Sequence, residues 1–112
     1  MIRGEIYYAD LNPTIGSEIN KKRPVLIISN NANNAFSETI TIIPITSNVK
    51  KVFPFEVFLP HNKSGLPKDS KAQCHQVRTI SKIRISAKVY GVLKNEVMNA
   101  VDGALKLHLD LL

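Results

Sequence analysis

Apolar and polar residues alternate in short runs along most of the chain, and only the C-terminal stretch changes period. Residues 4–11, GEIYYADL, alternate and predict a first strand. Asn12-Pro13 and Gly16-Ser17 then punctuate a long loop over residues 12–23. Residues 24–30, PVLIISN, form a continuous apolar run rich in β-branched residues. The run is too short for a helix and predicts a buried strand, with Pro24 at the first position, where a strand tolerates it. Residues 31–37, NANNAFS, make a turn or one helical turn. A third strand follows over 38–48, ETITIIPITSN, in which Pro44 marks an edge or a bulge. FPFEVFLP (53–60) predicts a fourth strand, HNKSGLPKDS (61–70) a second long polar loop, and KAQCHQVRTI (71–80) a fifth strand. SKIRIS (81–86) is a bend, and AKVYGVL (87–93) a short last strand. Val97, Val101, Leu105 and Leu109 then recur every four residues, with Met98, Ala104 and Leu112 widening the stripe. That pattern predicts an amphipathic helix of about four to five turns with Asn95 as its N-cap. The fold expected is mainly β (α+β): a small, strongly bent antiparallel sheet or partly open barrel closed by a C-terminal helix.

The chain has 112 residues, which suits one domain over 1–112, and its apolar and charged fractions are those of a globular protein. No apolar run approaches the ~20 residues that span a bilayer. The N-terminus lacks the apolar core of a signal peptide. Cys74 is the single cysteine, so no internal disulfide forms and a reducing, cytoplasmic setting is expected. Zinc-type Cys/His spacing and a glycine-rich phosphate loop are both absent, so neither metal nor cofactor is expected. The net charge of +6 changes the picture, because it favours an anionic partner. The cations cluster in loops: Lys21, Lys22 and Arg23; Lys50 and Lys51; Lys63, Lys68 and Lys71; Arg78, Lys82, Arg84 and Lys88. Loops at one end of a small barrel can converge into one basic groove. Any single lysine is more often plain solvated surface. Arg23 differs, because it enters a buried strand and its guanidinium is fixed at the strand's mouth.

The nine carboxylates are scattered singly, which disfavours a two-metal nuclease. Metal-independent RNA cleavage needs less. The substrate's 2′-hydroxyl is the nucleophile, and the protein supplies a cation for the developing charge, proton transfer and alignment. Arg23 suits the cation, since its planar fork matches two phosphate oxygens, and the Thr46 hydroxyl suits positioning of the phosphate. Of the histidines, His61 falls in a loop, His108 near the end of the helix, and His75 in mid-strand between Cys74 and Gln76.

Taken in order, "RGEIYYADLNPTIGSE", "RPVLIIS", "IPITS", "FPFEV", "QVRTI" and "SKIRI" resemble the successive motifs of the MazF/PemK toxins, bacterial components of toxin–antitoxin pairs. The resemblance covers nearly the whole chain. It implies a barrel-like sheet of the kind shared with the CcdB gyrase poisons. It also implies sequence-specific, metal-independent cleavage of single-stranded RNA, leaving 2′,3′-cyclic phosphate and 5′-hydroxyl ends and inhibiting translation. The partners it implies are a second copy, with RNA along the dimer interface, and an acidic, partly disordered antitoxin over the same surface. Carried over by motif, the catalytic residues match Arg23 and Thr46. The RNA-binding positions match Ser17 and Glu18 of the first loop and Asn48, Lys50 and Lys51 of the basic loop. Lys21, Lys22, His75, Gln76 and Arg78 complete the expected surface.

The chain departs from the family pattern twice. Lys21-Lys22 stands where many relatives have glycine or another small residue before the arginine, and His75 stands where many have aspartate. Strand alternation would put His75 on the face opposite Cys74, which the resemblance places at the RNA groove, where imidazole can donate or accept a proton between roughly pH 5 and 8. Two alternatives stay open on sequence alone: a non-enzymatic poison of a protein target, and an inactive RNA-binding relative. Arg23 and Thr46 together favour the enzyme.

Overall fold

The structure, a computed structural model, describes residues 1–18 and 21–112. Among them the strands are β1 (Glu5–Asp10), β2 (Lys22–Ile27), β3 (Thr39–Thr46), β4 (Glu56–Leu59), β5 (Ser70–Gln73), β6 (Arg78–Ser81) and β7 (Gly91–Val92). The helices are α1 (Asn31–Phe36), α2 (His61–Ser64) and α3 (Asn95–Leu109). All strand pairs are antiparallel, in the order β4-β5-β3-β2-β1-β7, with β6 also paired to β3.

The expected fifth strand is in fact two strands. A 3₁₀ turn at Cys74–Gln76 separates β5 from β6, and both pair with the same edge of β3. β6 takes Thr39 to Ile42, and β5 takes Ile45 and Thr46. Pro44 lies in the interval between them, where a residue without an N–H costs the ladder least. The sheet curls there into a half-barrel.

Because of that curl, β2 and β3 are buried on both faces, which explains their unbroken apolar runs. One face packs Ile6, Leu26, Ile43 and Ile45 against Met98, Val101 and Ala104 of α3. The other packs Tyr7, Ala9, Val25, Ile27, Ile42 and Ile80. Val25, Leu26, Ile27, Ile42, Ile43 and Ile45 are all fully buried. Each such side chain contributes about 1.5–3 kcal/mol by leaving water.

Three expectations need correction. The second polar loop contains a short helix, α2, which begins at His61 and ends on Gly65 with φ 78°. The N-cap of α3 is Lys94, so Asn95 is already helical. The apolar stripe of α3 is buried only as far as Leu105, because Leu107, Leu109 and Leu112 lie beyond the sheet and are exposed. Arg3 anchors the helix by an ion pair to Asp102 while donating from Nε to the Ile28 carbonyl at 2.9 Å. No described helix is long and apolar enough to cross a membrane.

The end of α2 touches β7 through two glycines. A Cβ on Gly91 would stand 1.9 Å from the Ser64 carbonyl oxygen, and one on Gly65 would stand 2.3 Å from that of Tyr90. Both obstacles are backbone and cannot rotate away. Gly91→Ala should therefore lower stability by about 2–3 kcal/mol in urea denaturation, although the added methyl is apolar.

Candidate nucleic-acid interface

Side chains alternate across a strand, so Arg23 shares the face of Val25 and Ile27 on β2. By the same rule Thr46 shares the face of Ile42 and Pro44 on β3, and Arg78 that of Ile80 on β6. Val25, Ile27, Ile42 and Ile80 belong to one apolar cluster. Arg23 and Thr46 thus stand at the polar end of that face, while Arg78 pairs with Ile42 further along it. The β2–β3 ladder ends at Val25 and Pro44, and Arg23 and Thr46 each lie two residues beyond that last pair, on the same face. Arg23 and Thr46 are both half-buried, with their backbones held by the sheet.

The first loop is tied to this end at two points. Arg78 donates from Nη1 to the Leu11 carbonyl at 3.3 Å, and Gln76 from Nε2 to that of Ser17 at 3.4 Å. Ser17, Glu18, His75, Gln76 and Arg78 line one open cavity of about 480 Å³. Glu18 also has a local task, since its carboxylate accepts the Ile15 N–H at 2.6 Å and closes the loop's turn. Lys22 and Arg23 line a second cavity of about 280 Å³ with Ser47, Lys68 and Ser70. Lys68 and Ser70 escape a motif reading because only the pairing of β5 with β3 brings them here. Lys21 is exposed and holds φ 70°, a left-handed conformation that glycine adopts more easily. Residues 19 and 20 of this loop lie outside the described residues.

The basic loop after Thr46 is anchored from within. The Thr46 hydroxyl oxygen accepts the Asn48 N–H at 3.2 Å, and Asn48 Oδ1 accepts that of Lys50 at 3.3 Å. Lys50 and Lys51 are exposed. Lys71, by contrast, is buried. It is the ladder partner of Thr46, and its Nζ donates to the Lys51 carbonyl at 2.7 Å and to Glu56 Oε1 at 3.0 Å. Burial pushes the Glu56 carboxyl up, but hydrogen bonds from the Phe53 N–H, Lys71 and Gln73 outweigh it and hold the group below its usual 4.5. In the sequence Lys71 looks like one more loop cation. Only the ladder, by setting Glu56 opposite Gln73 next to Lys71, reveals the pair.

His75 is not a strand residue. It sits in the 3₁₀ turn, so the alternation expected from Cys74 does not apply to it or to Gln76. Its ring meets Phe55 edge-on at 4.4 Å and lies 6.2 Å from the ring of His108 on α3. Its Nδ1 is buried without a hydrogen-bond partner among the described residues. Burial lowers its pKa from 6.5. His108 and Lys71 lower it further, against an upward pull from Glu56. Cys74 is wholly buried, its thiol pushed up to about 12, chiefly by desolvation.

Comparison with known proteins agrees with this architecture. A family model described as PemK-like, MazF-like toxin of type II toxin–antitoxin system matches residues 2–109. The chain is similar to Endoribonuclease MazF9 of Mycobacterium tuberculosis, 44% identical over 116 residues that cover 99% of this chain and 98% of the relative. It is also similar to Endoribonuclease EndoA of Bacillus subtilis, 40% identical over 111 residues that cover 98% and 95%. A solved endoribonuclease in complex with its cognate antitoxin, from Mycobacterial species, shares the fold. Its TM-score is 0.82 at 23% identity, over 100% of this chain and 97% of that one.

The buried pair and the buried imidazole each carry an expected outcome. Lys71→Met or Glu56→Gln alone should cost about 3 kcal/mol in chemical denaturation, since each leaves its partner buried and uncompensated, whereas the uncharged double variant should recover most of the loss. The wild-type contribution of Glu56 is fully present above 4.5 and fades as pH falls through its lower folded value. For His75 the unfolded chain takes up its proton first as pH falls. Stability should therefore decline below about 6.5, and an NMR titration should place the His75 midpoint below that value.

Proposed function

The chain belongs to the PemK-like, MazF-like toxin family of type II toxin–antitoxin systems, and on that premise we propose that it is an endoribonuclease. It cuts single-stranded RNA at preferred sequences without a metal ion. The observation that supports this reading is that Arg23 and Thr46 each lie two residues beyond the last β2–β3 pair, on the same sheet face.

The 2′-hydroxyl of the nucleotide before the cut loses its proton and attacks the adjacent phosphorus. Negative charge builds on the non-bridging oxygens, and the Arg23 guanidinium stabilises it there. The Thr46 hydroxyl holds the phosphate in line. The bond to the 5′-oxygen breaks, and that oxygen takes a proton. The products are a 2′,3′-cyclic phosphate and a 5′-hydroxyl. Lys21, Lys22, Lys50 and Lys51 hold flanking phosphates. Ser17, Glu18, Asn48, His75, Gln76 and Arg78 line the path of the strand and contact its bases and sugars. Burial lowers the pKa of His75, which favours its neutral form.

The protein acts as a dimer with RNA along the interface. The exposed Leu107, Leu109 and Leu111 beyond the covered part of α3 support a second copy there. An acidic antitoxin segment occupies the same basic surface, a reading supported by the family's toxin–antitoxin pairing and by the net charge of +6.

Three measurements test the mechanism together. Arg23→Ala should lower the cleavage rate by about 10²-fold or more with the fold intact, and Thr46→Ala should be impaired similarly. Cleavage should survive EDTA. An oligonucleotide with deoxyribose at the scissile position should stay whole. Activity lost in EDTA and restored by magnesium, or wild-type cleavage by Arg23→Ala, would overturn it.

A further inference from the structure

One aromatic ring on the loop after Thr46, close to Lys71, is not explained by the core. Phe53 is 47% exposed, yet it is held more firmly than a loose surface residue. Its N–H donates to Glu56 Oε1 at 3.0 Å, and its carbonyl accepts the Glu56 N–H at 2.8 Å. Glu56 is in turn fixed by the buried Lys71. Behind Phe53 lies Phe55, with ring centroids 5.5 Å apart and planes within 11° of parallel. Phe55 is itself backed by the edge contact with His75. The ring is therefore pre-organised, and ordering it on binding a ligand costs little.

Its surroundings are cationic. Lys71 Nζ lies 5.9 Å from the ring centroid, and Lys50 and Lys51 are exposed on the same loop. Lys71 stands opposite Thr46 in the ladder and so ties the ring to the loop that follows the hydroxyl assigned to the phosphate. A fixed, half-exposed aromatic face set among cations is what single-stranded nucleic acid uses: phosphates meet the cations, and a base stacks on the ring. An acidic peptide would satisfy the lysines but has no general need of a flat aromatic face.

We propose that Phe53, backed by Phe55, is a stacking platform for one nucleobase of the bound RNA, next to the nucleotide whose phosphate Thr46 holds. The proposal rests on the ribonuclease reading and adds a binding residue to it. Stacking is sequence-tolerant, so the platform contributes affinity and strand alignment more than base choice.

The chain contains no tryptophan, so Phe53→Trp installs a single fluorophore on the platform. The probe is an oligoribonucleotide that the wild type cleaves, with deoxyribose at the scissile position to keep it intact. Binding should quench the emission of the introduced indole. Phe53→Leu, which stays apolar but loses the aromatic face, should weaken binding of the same probe roughly tenfold without shifting the thermal midpoint by more than a few degrees. Phe53→Tyr should recover the loss. Single abasic substitutions along the probe should reveal one position whose removal weakens wild type but not Phe53→Leu. Unchanged fluorescence, wild-type affinity in Phe53→Leu, or an abasic scan that treats both proteins alike would overturn the platform, even with cleavage activity intact. Failure of the wild type to cut any RNA would instead remove the ribonuclease reading itself.

Discussion

The sharing of one edge of β3 between two strands is the constraint on which the rest of the molecule depends. β6 pairs along the first half of that edge and β5 along the second, with the Cys74–Gln76 turn between them. The two strands lie end to end along β3, and Pro44, paired with Val25 on the other edge, sits in the interval between them. The bend closes one face of the sheet over Val25, Ile27 and Ile42 while α3 covers the other. The β2 entry and the end of β3, with Arg23 and Thr46, lie beyond the last β2–β3 pair, while Arg78 at the start of β6 pairs with Ile42.

Electrostatics then decides what that end can hold. Fourteen of the fifteen lysines and arginines are half-buried or exposed, while Lys71 alone is buried. A buried ion pair is weak as a source of net stability, because desolvation offsets most of its attraction. Its value here is geometric: Lys71 reaches the Lys51 carbonyl, the Glu56 carboxylate and the Phe53 ring at once, and so fixes the loop that follows Thr46. The exposed cations can then face a common ligand from a rigid base, which lowers the entropy lost on binding.

Much of this was legible in the amino-acid order. β1, β2 and β3 and the C-terminal helix follow from periodicity, because two-sided burial writes an unbroken apolar run and a covered helix writes a four-residue stripe. The break inside KAQCHQVRTI was not legible. Ala72, Cys74, Val77 and Ile80 look like one strand, and the turn arises only because β5 and β6 compete for one edge of β3. The same tertiary cause misplaced His75 by face. The end of the α3 stripe failed for a different reason: Leu109 continues the period after the sheet has stopped, and periodicity cannot see where a partner surface ends. Arg23 was legible from its place before an apolar run. The β2–β3 register that ends two residues short of Arg23 and Thr46 was not, since register belongs to two strands and no single segment contains it.

Lys21 shows how the site and the fold compete for one position. Its φ of 70° is a conformation that costs an L-residue about 1 kcal/mol and a glycine almost nothing. The loop holds it there through the Leu11 N–H on its carbonyl at 3.1 Å and the Asn12 side chain on its N–H at 3.3 Å. A glycine would relax the strain, but it would also widen the unfolded ensemble and so return part of the gain. It would further remove the first of three consecutive cations at the mouth of β2. With the conformational penalty and the entropic benefit of similar size, the side chain's charge becomes the deciding difference. A lysine in a glycine's conformation at this mouth therefore adds positive charge beside Arg23 at little net cost to the loop's stability.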